Sequence, residues 1–163
     1  MDNKELTLKT LQDMGLKYEI IEHEIVHTIE DMEAAGITQK CDVCKNFFLR
    51  DAKGKRHFVV TLPKDKQINI QDIAKQIGST RLSFGSDERL STHLKLVAGQ
   101  VGPLSVINNP EKTVEYVFDK DLKDAKNLGI HPNDNSATLI MDFDEILKVV
   151  KKDGHKVFYI KAE

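Results

Sequence analysis

Lys45-Asn46-Phe47-Phe48-Leu49-Arg50-Asp51, followed beyond a polar turn at Gly54 by Phe58-Val59-Val60 and closing at Pro63, is the stretch that decides the fold. Two apolar runs rich in aromatic and β-branched residues, split by a short polar segment with a glycine, predict a β-hairpin over 45–63. Working upstream, Leu8 and Leu11 fall at near-helical spacing between Asn3 and Met14, and the run stops at Gly15. That suits a helix closed by a C′ glycine. Lys17 to Ile21 reads as a strand, and Thr28 with Asp31 three residues later has the form of a capping box opening a short helix that ends near Gly36. Working downstream, Ile70, Ile73 and Ile77 before Gly78 predict one helix, and Ser86 ahead of Asp87 and Glu88 opens another carrying Leu90 and Leu94. Strands are predicted over Leu104–Ile107, Val114–Phe118, Ala137–Met141 and Val157–Ile160. A helix from about Phe143 to Lys152 precedes the last of these, with Asp142 as its N-cap and Lys151 and Lys152 in its final turn. Helices and strands alternate without a linker or repeat, so the expected architecture is α/β mixed (α+β): one domain over 1–163, with a mixed, largely antiparallel β-sheet flanked by helices.

The composition fits such a domain. A chain of 163 residues can bury a core unaided, and 40% hydrophobic with 31% charged residues is a globular balance, not a disordered one. No apolar run is long enough to span a bilayer, and the charged first residues lack an apolar signal segment, so the expectation is a cytoplasmic protein with no membrane contact and reduced cysteines. A formal net charge of -2 argues against a surface that grips nucleic acid everywhere. Locally the balance differs, since seven cations face two carboxylates between Lys45 and Lys66. That segment is either a phosphate-facing patch or a solvated hairpin, and Lys-rich turns of the second kind are the commoner.

Motifs for standard enzyme chemistry are missing: the chain has no GxSxG, HExxH, Walker A loop or GxGxxG. Cys41-Asp42-Val43-Cys44 is a lone CxxC without the second ligand pair of a structural zinc site, and it precedes a strand, where a redox pair would open a helix. Two ordinary thiols are the simpler reading, and no metal or cofactor is expected. Three other features stand out. Lys45 and Asn46 begin an otherwise apolar strand, although a lysine there can be a snorkelling surface residue. Gly99-Gln100-Val101-Gly102-Pro103 is a loop whose glycines permit close backbone approach, although most such loops are only turns. His131-Pro132-Asn133-Asp134-Asn135-Ser136-Ala137-Thr138 is a polar loop leading into a buried strand, and a lone loop histidine is usually not catalytic.

Taken together, these segments resemble the YbaK and prolyl-tRNA synthetase-associated editing family, in particular its ProX-like stand-alone branch. The KNxFLRD strand at Lys45–Asp51, the phrase Arg81-Leu82-Ser83-Phe84-Gly85-Ser86 before its helix, the GxxxP loop at Gly99–Pro103 and the HPxxNxAT-like loop at His131–Thr138 occur in family order over nearly the whole chain. The resemblance implies a trans-editing deacylase that hydrolyses the ester of alanine mischarged on tRNA(Pro). It implies Lys45 and Gly99 as the catalytic positions, Lys45 holding the terminal nucleotide and the Gly99–Pro103 loop supporting the substrate carbonyl. It further implies Thr28, Asn46, Gly102, Pro103, His131 and Asn135 around the substrate. Such an ester is already activated, so the chemistry needs a small pocket, an ordered water and aimed donors more than a strong nucleophile. The expected partners are the 3′ end of mischarged tRNA(Pro) and, transiently, prolyl-tRNA synthetase, with the protein a monomer. Two other readings stay open: a deacylase for cysteine or another small amino acid on tRNA, and a non-catalytic module that binds charged tRNA or a synthetase as a sensor.

Overall fold

In the computed structural model, which describes residues 1–163, the chain runs through α1 (Asn3–Asp13), β1 (Glu19–Glu22), α2 (Ile29–Ala34), β2 (Asp42–Arg50), β3 (His57–Pro63), α3 (Ile70–Ile77), β4 (Ser83–Phe84), α4 (Asp87–Leu94), β5 (Val114–Asp119), β6 (Leu128–Ile130), β7 (Ala137–Met141), α5 (Phe143–Lys151) and β8 (Val157–Ile160). The strands form one mixed sheet in the order β1-β7-β6-β2-β3-β5-β8, with β4 added to β2. Pairings of β1 with β7, β2 with β3, β2 with β4 and β6 with β7 are antiparallel; those of β2 with β6, β3 with β5 and β5 with β8 are parallel. The predicted hairpin is therefore the middle of the sheet, with Phe47 opposite Val60 and Phe48 opposite Val59.

Alternation along β3 divides the core in two, because successive side chains of a strand point to opposite faces. Val59 joins Leu90 and Leu94 of α4, Leu11 of α1 and Phe143 and Ile146 of α5 in the larger cluster. Phe58, Val60 and Leu62 pack on the other face against Ile73, Ala74 and Ile77 of α3. With both faces covered, β3 is buried at every position but Pro63, which explains its near-continuous apolar sequence. A third, smaller cluster seats Met32 of α2 on Val43 and Ile140.

Three local expectations change. Leu104–Ile107 is not a strand but part of a 3-10 helix, Pro103–Asn108, with proline at its first turn. A short, mostly apolar run has no clear period to tell strand from buried helix, and proline pre-sets the backbone for a helical start. Asp142 sits at the N-cap of α5 yet makes no capping bond; its carboxylate instead accepts from the Asn127 N–H and pairs with Lys126. The first strand begins two residues later than expected, at Glu19. The remaining caps form as read: the Thr28 hydroxyl accepts from Asp31 N–H at 3.0 Å and the Ser86 hydroxyl from Arg89 N–H at 3.1 Å.

Candidate functional site: a cleft over a bare strand edge

β2 is covered unevenly. One edge pairs with β3 along seven residue pairs, whereas the other meets β6 only at Asp42 and Val43 and β4 only at Leu49 and Arg50. Between them the edge is bare. The backbone N–H of Asp42 reaches Asn127 O on that side, and Phe48 O accepts from Gly85 N–H there. Because backbone groups alternate in direction along a strand, the N–H and C=O of Asn46 also point into the gap.

A cleft of about 320 Å³ lies over this gap. The strand alternation splits it into two sides. On one side are Lys45 and Phe47, with Val26 and Met32 from the α2 region and Phe84 from β4; on the other are Asn46 and Phe48, with Leu90 of α4, Val101 and His131. Lys45 and Asp87 are its only lysine and carboxylate.

The bare edge brings together five of the eight residues implied by resemblance: Thr28, Lys45, Asn46, Gly99 and His131 all line the cleft. Lys45 takes part in none of the ion pairs of the molecule. Asn46 is oriented by Thr61, whose hydroxyl donates to its Oδ1 at 2.7 Å, leaving the amide nitrogen turned toward Gly102. Thr28 lies at the rim with its hydroxyl already engaged as the cap of α2. Gly102 stands behind Asn46 and the His131 backbone, and Asn135 behind Gly99, neither on the cleft wall. Pro103 is placed differently from expectation. It is buried at the start of the 3-10 helix, where it ends the loop, and is not among the residues that line the cleft.

Gly99 has φ +91, a left-handed value that disfavours any side chain, although a Cβ there would meet only ordinary contacts at 3.6 Å. The requirement is therefore set by the turn and not by crowding. In that turn the N–H groups of Gly99, Val101 and Gly102 donate to no backbone acceptor, while Gln100 is held by its own bonds to Val97. Unused donors thus lie along the loop, with Gly99 and Val101 on the cleft wall.

His131 is kept neutral. Burial pushes its ring down to about 4, against an opposing pull from the Ala137 backbone. Its Nδ1 is buried with no hydrogen-bond partner. Burial also lifts the thiols of Cys41 to about 11 and of Cys44 to about 12, so both stay protonated at neutral pH, as ordinary buried thiols do. Three of the seven hairpin cations are paired within the fold: Arg56 with Glu115, Lys64 with Asp65 and Lys66 with Asp119 and Asp121. Arg50 donates to the carbonyls of Asp51 and Ala52. The aromatic and aliphatic wall made by Phe47, Phe48, Phe84 and Leu90 was not singled out as functional by sequence reading. Its signals were the Lys45–Asp51 strand, which carries Phe47 and Phe48, and the Arg81–Ser86 phrase that precedes α4.

A family model for the aminoacyl-tRNA editing domain matches residues 23–149. The chain is 43% identical over 155 residues to the prolyl-tRNA editing protein ProX of Acetoanaerobium sticklandii, covering 95% of this chain and 94% of that one. It is 33% identical over 162 residues to prolyl-tRNA synthetase associated domain-containing protein 1 of Mus musculus, covering 95% of each. A solved structure described as a candidate trans-editing enzyme for prolyl tRNA synthetase superposes with a TM-score of 0.74 over 100% of this chain and 98% of that one; at 17% identity the likeness is one of fold.

Proposed function

The chain belongs to the aminoacyl-tRNA editing domain family, and on that premise we propose that it removes alanine from mischarged tRNA(Pro) by hydrolysing the ester to the 3′-terminal adenosine. The observation that carries this reading is the gap in β2. It places a free lysine, an oriented amide and an unpaired stretch of backbone in one small cleft beside a loop with unused N–H donors.

Hydrolysis of an activated ester needs water brought to the carbonyl and donors aimed at the oxygen that gains charge. The N–H groups of Gly99 and Val101 and that of Asn46 are the donors for that oxygen. Water adds to the carbonyl carbon, the bond to the ribose oxygen breaks, and the ribose leaves as the alcohol with a proton that the water supplied. A ribose hydroxyl next to the ester orients the water. His131 is a poor base for this step, because a general base works best with a pKa near the working pH and its own lies at about 4. It serves as a neutral wall of the amino-acid compartment, together with Asn46 and Val101. Lys45 supplies the positive charge that holds the terminal nucleotide. No metal enters these steps.

Selectivity follows from size. A synthetase pocket shaped for proline gains only about 1–3 kcal/mol per methylene against the smaller alanine, so errors pass; a second, smaller compartment admits alanine and rejects proline by overlap. The names of the relatives support a transient meeting with prolyl-tRNA synthetase, with this chain acting in trans.

The test is to follow ester loss from alanyl-tRNA(Pro) with chelator present throughout, using wild type and Lys45→Ala. Wild type is expected to hydrolyse the ester. Lys45→Ala, which deletes a charge and no core volume, should keep its melting temperature and lose about 10²–10³ in rate, the usual cost of one preorganised electrostatic contact. Near-wild-type turnover by folded Lys45→Ala would overturn the assignment of Lys45, and a wild type that leaves the ester intact would overturn the function.

A further inference from the structure

The cleft is larger than the amino acid it is proposed to hold. At about 320 Å³ it falls in the range of sites that take whole drug-sized ligands, roughly 300–1,000 Å³. An alanyl group on the Asn46 side leaves most of that volume for another occupant.

The opposite side is aromatic. Phe47 and Phe84 lie with ring centroids 6.2 Å apart and planes at 49°. Phe84 is 59% exposed although its ring is large and apolar. An exposed phenylalanine alone is ordinary on a protein surface; Phe84 differs in being held where it is. It forms half of the two-residue strand β4, pairs with Leu49, and is followed by Gly85, whose N–H donates to Phe48 O at 2.9 Å. A Cβ on Gly85 would meet the Phe48 ring at 2.4 Å, so the corner that carries Phe84 is pressed onto β2 as closely as a glycine allows. Lys45 shares its face of β2 with Phe47 and has no carboxylate partner. A rigid, uncovered π-face beside an unpaired ammonium suits a nucleotide, with the base stacked on the ring and the phosphate drawn to the charge.

We propose that the Phe47 and Phe84 side of the cleft is the subsite for the 3′-terminal adenine of the tRNA, with Phe84 as its stacking platform and Lys45 on the phosphate of the same nucleotide. The ester then lies across the bare edge of β2, between a base on one side and an amino acid on the other. This assignment rests on the reading of the chain as an aminoacyl-tRNA deacylase. It also accounts for the gap itself, since a strand paired along residues 44–48 would close the passage between the two compartments.

The experiment uses uncharged tRNA(Pro) whose terminal adenine is replaced by 2-aminopurine, a base whose fluorescence is quenched on stacking. Wild type and Phe84→Tyr should quench it on binding. Phe84→Ala and Phe84→Leu should lose the quench and bind at least about fivefold more weakly, the lower end of what one base–aromatic stack contributes. In parallel, KM for alanyl-tRNA(Pro) should rise by a similar factor in Phe84→Ala and Phe84→Leu while kcat stays within about twofold and the melting temperature holds. Undiminished quenching by Phe84→Ala, or a Phe84→Leu protein as good as Phe84→Tyr, would overturn the stacking role, as would absence of quenching by wild type. A wild type that quenches but hydrolyses nothing would retain the subsite and reject the deacylase reading.

Discussion

Two histidines carry an unusual share of the behaviour of single residues in this protein. His57 is 2% exposed, and burial first, then the neighbouring His93 and Arg89, pushes its ring down to about 4. Since a guanidinium can only donate, the contact of Arg89 Nη1 with His57 Nε2 at 3.0 Å requires that nitrogen to accept, and protonation would remove the acceptor. His131 is held near the same value by its own burial. Both rings are therefore neutral in the folded protein over a range where the unfolded chain, with an ordinary value of 6.5, takes up protons. The unfolded state binds more protons in that range, so stability is fully present above about pH 7 and is lost as pH falls from 6.5 toward 4. The carboxylates of Asp51 and Asp134, whose values lie below the usual 3.8, act only at still lower pH. Melting temperatures measured from pH 8 to pH 4 should be flat at first and then decline through this window. A melting temperature that holds or rises on acidification through it would contradict the neutral state of these rings.

At the scale of elements, β4 is short but consequential. Its two residues end the bare stretch of β2, aim Phe84 at the cleft mouth and lead through Gly85 into the cap of α4. Gly85→Ala should test that corner, because the added Cβ would lie 2.4 Å from a ring that is itself 7% exposed and stacked on His57 at 5.8 Å. Phe48 cannot swing freely, so the expected cost is about 1–3 kcal/mol of stability from overpacking. Turnover should fall as well, since the ring is also a wall of the cleft. Wild-type stability and turnover in Gly85→Ala would show that the corner is looser than its geometry states. Nothing at this element is legible locally, for a strand of two residues has no period. The hairpin and the long amphipathic helices were legible because their patterns repeat over several residues, as with Ile70, Ile73 and Ile77 on α3. The run after Pro103 was misread for the converse reason, since Leu104, Ser105 and Val106 are all buried and leave no exposed position to mark a face.

For the whole molecule, the site is a product of topology. β6 and β4, which flank the gap in β2, come from distant parts of the chain, and the register that leaves residues between them unpaired is invisible in sequence. Of the residues that sequence reading singled out, Lys45, Asn46, Gly99 and His131 converge on one cleft from β2 and two separate loops. What it missed was the apolar wall, because burial and exposure depend on partners that meet only in the fold, as Phe84 and Phe47 do. Part of the excess charge of the hairpin is likewise met only in the fold, where Glu115, Asp119 and Asp121 arrive from β5 and the turn beyond it to pair with Arg56 and Lys66. Substrate choice is the property that depends on all of these at once, since on the proposed reading the cleft holds a nucleotide on one side and leaves only a small compartment on the other. The direct measurement is kcat/KM of the pure protein for alanyl-, cysteinyl- and prolyl-tRNA(Pro) under one set of conditions. The account predicts that alanine is removed about tenfold or more faster than cysteine, equivalent to roughly 1.4 kcal/mol, and that proline is left in place. Equal or faster removal of cysteine, or release of proline, would contradict it.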